Sequence, residues 1–167
     1  MEAATASFQH TPGTDAIGDT YGMYLTFWID GQLFGIPISV VMQIVGVQPI
    51  TEIPAFPHYA KGVINLRDSI IPVVDVRLRL NKMEAAYNDR TCIIVVNSLD
   101  KQYGLIVDEV EEVVNISDES IAQPPRMSAS GMDDQFLTGI AHDNNRIRLL
   151  VDPLRLVGTG LDGEIMF

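Results

Sequence analysis

The chain has 167 residues, 47% of them hydrophobic, enough for one domain of ordinary size or two small units sharing a core. A net charge of -11 excludes nucleic acid and anionic membrane as main partners, because both require a basic surface. No apolar run approaches the roughly 18 residues of a membrane span, and the single cysteine, Cys92, excludes an internal disulfide.

Residues 1–21 are poor in large apolar side chains and contain no Lys or Arg, which predicts a disordered cytoplasmic tail without a signal peptide. From Tyr24 the pattern becomes regular. Leu25, Phe27 and Ile29 alternate with Tyr24, Thr26 and Trp28, so the first set faces inward and the two aromatics of the second are either half-buried structural residues or a partner contact. Asp30-Gly31 is a strong hairpin turn signal, and Leu33 to Ile38 returns as the second strand. Val40, Val41, Ile44 and Val45 recur at helical spacing behind Ser39, which predicts a short helix over 39–45, followed by a strand over 47–53.

Residues 62–77, GVINLRDSIIPVVDVR, form the most informative stretch. Two runs rich in β-branched residues flank Arg67-Asp68-Ser69, the pattern of a β-hairpin. Pro72 inside the second run predicts a sheet edge or a bulge. Alternation places Ile64 and Leu66 inward and leaves Asn65 and Arg67 toward solvent or a partner. An Arg at a hairpin end beside an Asn is a recognition candidate, because its forked donors are carried on rigid backbone. Residues 76–83 then read as one or two helical turns. Cys92 lies in TCIIVV with no neighbouring cation in sequence, so it reads as a small buried hydrophobe rather than a reactive thiol.

The second half repeats the first. An offset of 69 pairs Phe34-Gly35-Ile36 with Tyr103-Gly104-Leu105, Val41 with Val110 and Val45 with Val114. An offset of 77 then pairs Gly62 with Gly139, Ile70 with Ile147, Val74 with Val151 and Asp75 with Asp152, placing an insertion near 122–134. Strands are predicted near 24–30, 33–38, 46–53, 61–67 and 70–76 in one unit, and near 90–98, 102–109, 111–116, 136–143 and 146–152 in the other. Five short strands per unit is the size of a small barrel, and units this small should pack on each other. A last helical turn is expected at 154–157.

Charge is unevenly spread. None of the 11 Lys and Arg precedes Lys61 and six fall within 61–90, whereas 100–119 holds seven acids against Lys101 alone. These are either two solvated faces or surfaces for two different protein partners. Catalytic equipment is thin: His10, His58 and His142 have no metal-ligand spacing, and Asp75 and Asp152 read as caps of the turns that follow them, with a carboxylate pair as the rival. No catalytic residue, metal or cofactor is assigned. A small-ligand barrel would need a convergent polar pocket.

The sequence Gly-Val-Ile-Asn-Leu-Arg followed by Ile-Ile-Pro-Val-Val-Asp-Val-Arg (62–77), with Phe34-Gly35-Ile36, Gly104-Leu105-Ile106-Val107-Asp108, Leu137-Thr138-Gly139 and Leu149-Leu150-Val151-Asp152, resembles the CheW family of chemotaxis coupling proteins. The resemblance spans about 24–157. It implies a mostly β fold of two five-stranded SH3-like β-barrel subdomains with short connecting helices, over about 22–88 and 89–157, between tails at 1–21 and 158–167. It also implies a non-enzymatic adaptor, cytoplasmic at receptor arrays on the inner face of the membrane, that joins methyl-accepting chemoreceptors to a CheA-type histidine kinase. Carried over, receptor contact falls to Asn65 and Arg67, with Gly62 and Val41 supporting a groove. Kinase contact falls only to regions, around Gly46 and Val47 and around Leu105 and Val113. Asp68 stands where the family usually has Gly, and Gln43 where it commonly has Glu. Both departures leave open an adaptor of a separate pathway, such as pilus motility.

Overall fold

A computed structural model describes residues 20–124, 135–143, 145–158 and 161. Nearly all of the expected N-terminal tail, and most of the expected insertion, lie outside these residues.

The described residues form eleven strands: β1 (Met23–Ile29), β2 (Gln32–Pro37), β3 (Val41–Gly46), β4 (Ala60–Leu66), β5 (Ser69–Asp75), β6 (Cys92–Ser98), β7 (Lys101–Val107), β8 (Glu109–Asn115), β9 (Ile121–Ala122), β10 (Leu137–Asp143) and β11 (Arg146–Val151). Two short helices follow the second hairpin of each repeat, α1 (Val76–Arg79) and α2 (Pro153–Val157). Asp75 Oδ1 accepts from the backbone N–H of Arg77 and Leu78, and Asp152 Oδ1 from that of Leu154. The equivalent aspartates are therefore helix caps.

The strands form two sheets in the orders β8-β1-β2-β11-β10-β9 and β3-β6-β7-β5-β4. The repeat is plain in these orders: β8, β1, β2, β11 and β10 correspond to β3, β6, β7, β5 and β4. Yet each sheet takes its first hairpin from one repeat and its remaining strands from the other. The junctions are the two parallel pairs, β2 with β11 and β7 with β5. Sequence division at 88/89 into one subdomain per repeat is thus corrected. The duplicated units have exchanged strands, and neither sheet is made from one half of the chain.

Three expectations about elements are also corrected. Residues 39–45 are no helix: a 3-10 turn over Ile38–Val40 leads directly into β3. The strand expected over 47–53 is reduced to one bridge, Thr51 to Val63, closed by two backbone hydrogen bonds of 2.9 Å. Finally, β5 is an interior strand between β7 and β4, despite Pro72. Val63 spends its N–H and C=O on Thr51, so the opposed Val63/Pro72 pair is not hydrogen-bonded and the proline nitrogen faces β7. The β5–β7 ladder begins only at Val73, so proline removes no ladder bond there.

The main hydrophobic cluster lies between the sheets and draws on both halves. Leu25, Phe27, Ile29, Phe34 and Ile36 meet Val74, Ile94, Val96, Leu105 and Val107. Leu161, in the expected C-terminal tail, is 3% exposed in the same cluster. Each sheet also has a smaller cluster of its own. Ile64, Ile71, Val73, Ile93, Val95 and Ile106 form one, and Ile116, Ala141 and Leu150, backed by Tyr24 and Val114, form the other. The shared cluster gives two thin units the interior that neither has alone.

Candidate functional site

The β4–β5 hairpin presents Asn65 and Arg67, both exposed. Arg67 and Asp68 are the two turn residues, at φ 51 and 69, the left-handed pair that a two-residue turn needs to match strand twist. Among the described residues the Arg67 side chain has no hydrogen bond or ion pair, even with Asp68. Gly62, two strand residues before Ile64, is buried at φ 143, where an added Cβ would stand 2.0 Å from the carbonyl oxygen of Thr51. It supports the site by letting the 47–53 segment cross close to β4.

Val41 is half-buried against the shared cluster, as are Ile44 of β3 and Val110 and Val113 of β8. The rim of that cluster is therefore apolar along both edge strands. Val41 on β3 and the β4–β5 hairpin lie toward opposite edges of one sheet, with β6 and β7 between them in the order. Of the residues expected for kinase contact, Gly46 and Val47 are exposed at the end of β3. Leu105 is corrected: it is 0% exposed in the middle of β7, so it fills the core and offers no contact surface. Its β-rich neighbours marked a strand, but β7 has a cluster packed on each face, Leu105 in the shared one and Ile106 in the smaller one, so both faces are buried.

The polar features elsewhere are largely satisfied. Arg77 holds Asp108 through Nε and Nη2 at 2.9 and 2.8 Å and lies 3.7 Å from Asp30. The hydrogen bond to Asp108 raises the pKa of that guanidinium, so it stays charged. A recess of about 260 Å³ beside this pair is lined by Asp75, Arg77, Tyr87, Asn88, Arg90 and Asp108. Asp75 is spent on the α1 cap and on Tyr87, whose hydroxyl donates to Oδ2 at 2.8 Å. Cys92 is 6% exposed, and burial pushes its thiol pKa up. It is the small hydrophobe that its flanks predicted.

Over residues 23–159 the chain matches the family model of the CheW-like domain. The chain belongs to this family. A "Chemotaxis protein CheW" from Klebsiella aerogenes is 32% identical over 143 residues, covering 85% of this chain and 86% of the relative. "Protein PilI" from Pseudomonas aeruginosa is 27% identical over 118 residues, 70% of this chain and 65% of the relative. Among solved structures, a "scaffolding protein TtCheW" from Thermoanaerobacter tengcongensis superposes with a TM-score of 0.76 at 32% identity, covering 87% of this chain and 97% of that one. The mostly β, two-sheet architecture is thus that of a CheW-like protein.

Sequence reasoning missed one group of residues on this CheW-like frame. Glu111, Glu112, Arg146 and Arg148 come together where β8 and β11 flank the first hairpin. The repeat carried the signal, since Arg148 aligns with Ile71 at the offset of 77.

Proposed function

We propose that this chain is a non-enzymatic scaffold coupling the cytoplasmic tips of methyl-accepting chemoreceptors to a CheA-type histidine kinase, working at receptor arrays on the inner face of the membrane. Among the described residues no helix is long and apolar enough to cross a membrane. The observation that carries the reading is Arg67: a charged fork with no partner among the described residues, on a two-residue turn of a family member. Holding receptor and kinase on one rigid body makes the second contact effectively intramolecular, so modest separate affinities suffice.

Receptor contact falls to Asn65 and Arg67, with Gly62 holding the crossing segment and Val41 the apolar rim. Kinase contact falls to the end of β3 at Gly46 and Val47 and to the β8 side around Val113. The experiment that tests this division is Arg67→Glu. The variant should lose co-sedimentation with receptor signalling fragments and keep its affinity for the kinase regulatory domain. Equal loss of both by a folded variant contradicts the division.

A second reading, an adaptor of a separate pathway such as pilus motility, is favoured by Asp68 and Gln43 and by the likeness to PilI. Co-purification with the kinases of its own cell decides between the two. A small-ligand carrier is disfavoured by the paired charges of the Arg77 recess.

A further inference from the structure

The β8 strand contains a bulge. Its partners in β1 run Thr26 to Glu112 and then Phe27 to Val110, so Glu111 is the extra residue. Bulges re-aim side chains: Glu111 accepts a hydrogen bond of 2.9 Å from Thr26 Oγ1 and pairs with Arg146. Arg146 also lies over the Trp28 ring at 5.9 Å and 4.0 Å from Glu112 Oε2. Behind them is Arg148, whose side chain is 5% exposed. Its contact with a carboxylate is Nη2 to Glu112 Oε2 at 3.8 Å, and its buried Nε and Nη1 have no hydrogen-bond partner among the described residues.

The sister sheet shows that the fold does not need this charge. A matching bulge sits in β3, where Met42 is the extra residue. The positions equivalent to Arg148 and Thr26 are Ile71 and Val95, both inside an apolar cluster. One unit therefore closes its interior with aliphatic side chains. The other keeps a buried guanidinium that is short of acceptors, which destabilises the free chain.

We propose that Arg148 is a docking residue: on assembly its guanidinium leaves Glu112 and takes the carboxylate of an Asp or Glu side chain on a protein partner. The inference rests on the scaffold reading and names the chemistry of its kinase side. A protein rather than a free anion is the occupant on grounds of charge. Glu111 and Glu112 flank the guanidinium on a chain of net charge -11, which repels a freely diffusing small anion, whereas a carboxylate carried on a protein is held in place by the rest of the interface. Glu111 and Glu112 lie on β8, an edge strand, and Arg148 reaches Glu112 from β11, which is interior to the sheet. With Met42 at one bulge and Glu111 at the other, the two repeat-related edges differ in chemistry.

Full-length wild type, Arg148→Met and Glu112→Gln are compared by thermal unfolding and by calorimetric titration with the purified regulatory domain of the CheA-type kinase from the same cell. Arg148→Met should melt at the same or a slightly higher temperature and bind at least about tenfold more weakly. Glu112→Gln, which removes the competing carboxylate, should bind about threefold more tightly. Binding by Arg148→Met within about twofold of wild type overturns the proposal, as does a lowered melting temperature together with unchanged binding by Glu112→Gln. Should Arg148→Met not fold, Glu112→Gln decides alone: tighter binding supports the proposal and unchanged binding overturns it. Wild type that does not bind the kinase domain overturns the scaffold reading with it, whereas wild type that binds no better than Arg148→Met overturns only the role of Arg148.

Discussion

Asp68 shows what a single departure from the family pattern does. At φ 69 it occupies backbone that glycine takes freely, and the preceding Arg67, at φ 51, cannot share the burden. The first hairpin solves the same problem with Asp30-Gly31, at φ 53 and 77. Asp tolerates the left-handed region better than most residues but still at a cost. Asp68→Gly should therefore stabilise the chain by about 0.5 kcal/mol, raising the thermal midpoint by about 1–2 °C, with receptor binding kept or tightened. A lower midpoint would mean that the carboxylate itself supports the turn. Gly62 is the opposite case. The motif pointed to it as a support, but its reason, a carbonyl oxygen 2.0 Å from where a Cβ would be, depends on a bridge formed by Thr51, eleven positions away, and could not be read locally.

Among the elements, the hairpins were legible and β3 was not, for one physical reason. Hairpins declare themselves through turn residues and β-branched runs, and β4–β5 and β6–β7 lie close to where those signals put them. In β3 the register against β6 slips between Val41 and Gln43, so the alternation shifts phase partway along. Val41 and Ile44 face the shared cluster, Val45 the smaller one, and the resulting spacing imitates a helix. The same bulge recurs in β8 between Glu112 and Val110. The cap of α1 was legible as one of two readings of Asp75; its bond to Tyr87 was not, because residues 80–91 carry no regular pattern. That bond has a consequence for alkaline stability. Burial, then the hydrogen bond to Asp75, raise the Tyr87 pKa well above its ordinary value. An unfolded tyrosine ionises near pH 10, so above about that pH the unfolded chain binds fewer protons than the folded one, and stability falls as pH rises. Below it the contribution is complete. Cys92, also raised by burial, begins the decline earlier, from about pH 8.5. Urea unfolding at pH 7 and pH 10.5 should show this loss. Tyr87→Phe should make the loss smaller while lowering stability at pH 7 by about 1 kcal/mol, and an unchanged pH dependence would remove Tyr87 from the account.

Across the whole molecule, duplication was legible and strand exchange was not. Offsets of 69 and 77 report which residues are equivalent, but equivalence is silent on whether a strand pairs within its own repeat or with the other. Contacts between the halves are correspondingly strong. Arg79 of α1 lies over Tyr59 at 4.2 Å and over Phe136 at 4.8 Å. Its Nε and Nη2 donate to the carbonyls of Leu156 and Arg155 at 2.8 and 2.9 Å, tying the first half to α2. A break at 88/89 would leave residues 1–88 with the β1–β2 hairpin lacking β8 and β11, with β3 lacking β6, and with the β4–β5 hairpin lacking β7. Residues 89–167 keep the β6–β7 and β10–β11 hairpins, with only the two-residue β9 added to the second; two-stranded hairpins are marginal in water, so neither fragment has a sheet that can hold its side of the shared cluster. Fragments 1–88 and 89–167 should each give the circular dichroism of an unfolded chain without a cooperative melt. Mixed in equal amounts, they should recover the spectrum and the melting transition of the intact protein, because every missing strand is supplied in trans. A cooperative melt from either fragment alone would show that the shared cluster is dispensable, and that the exchange adds contact without deciding whether the chain folds.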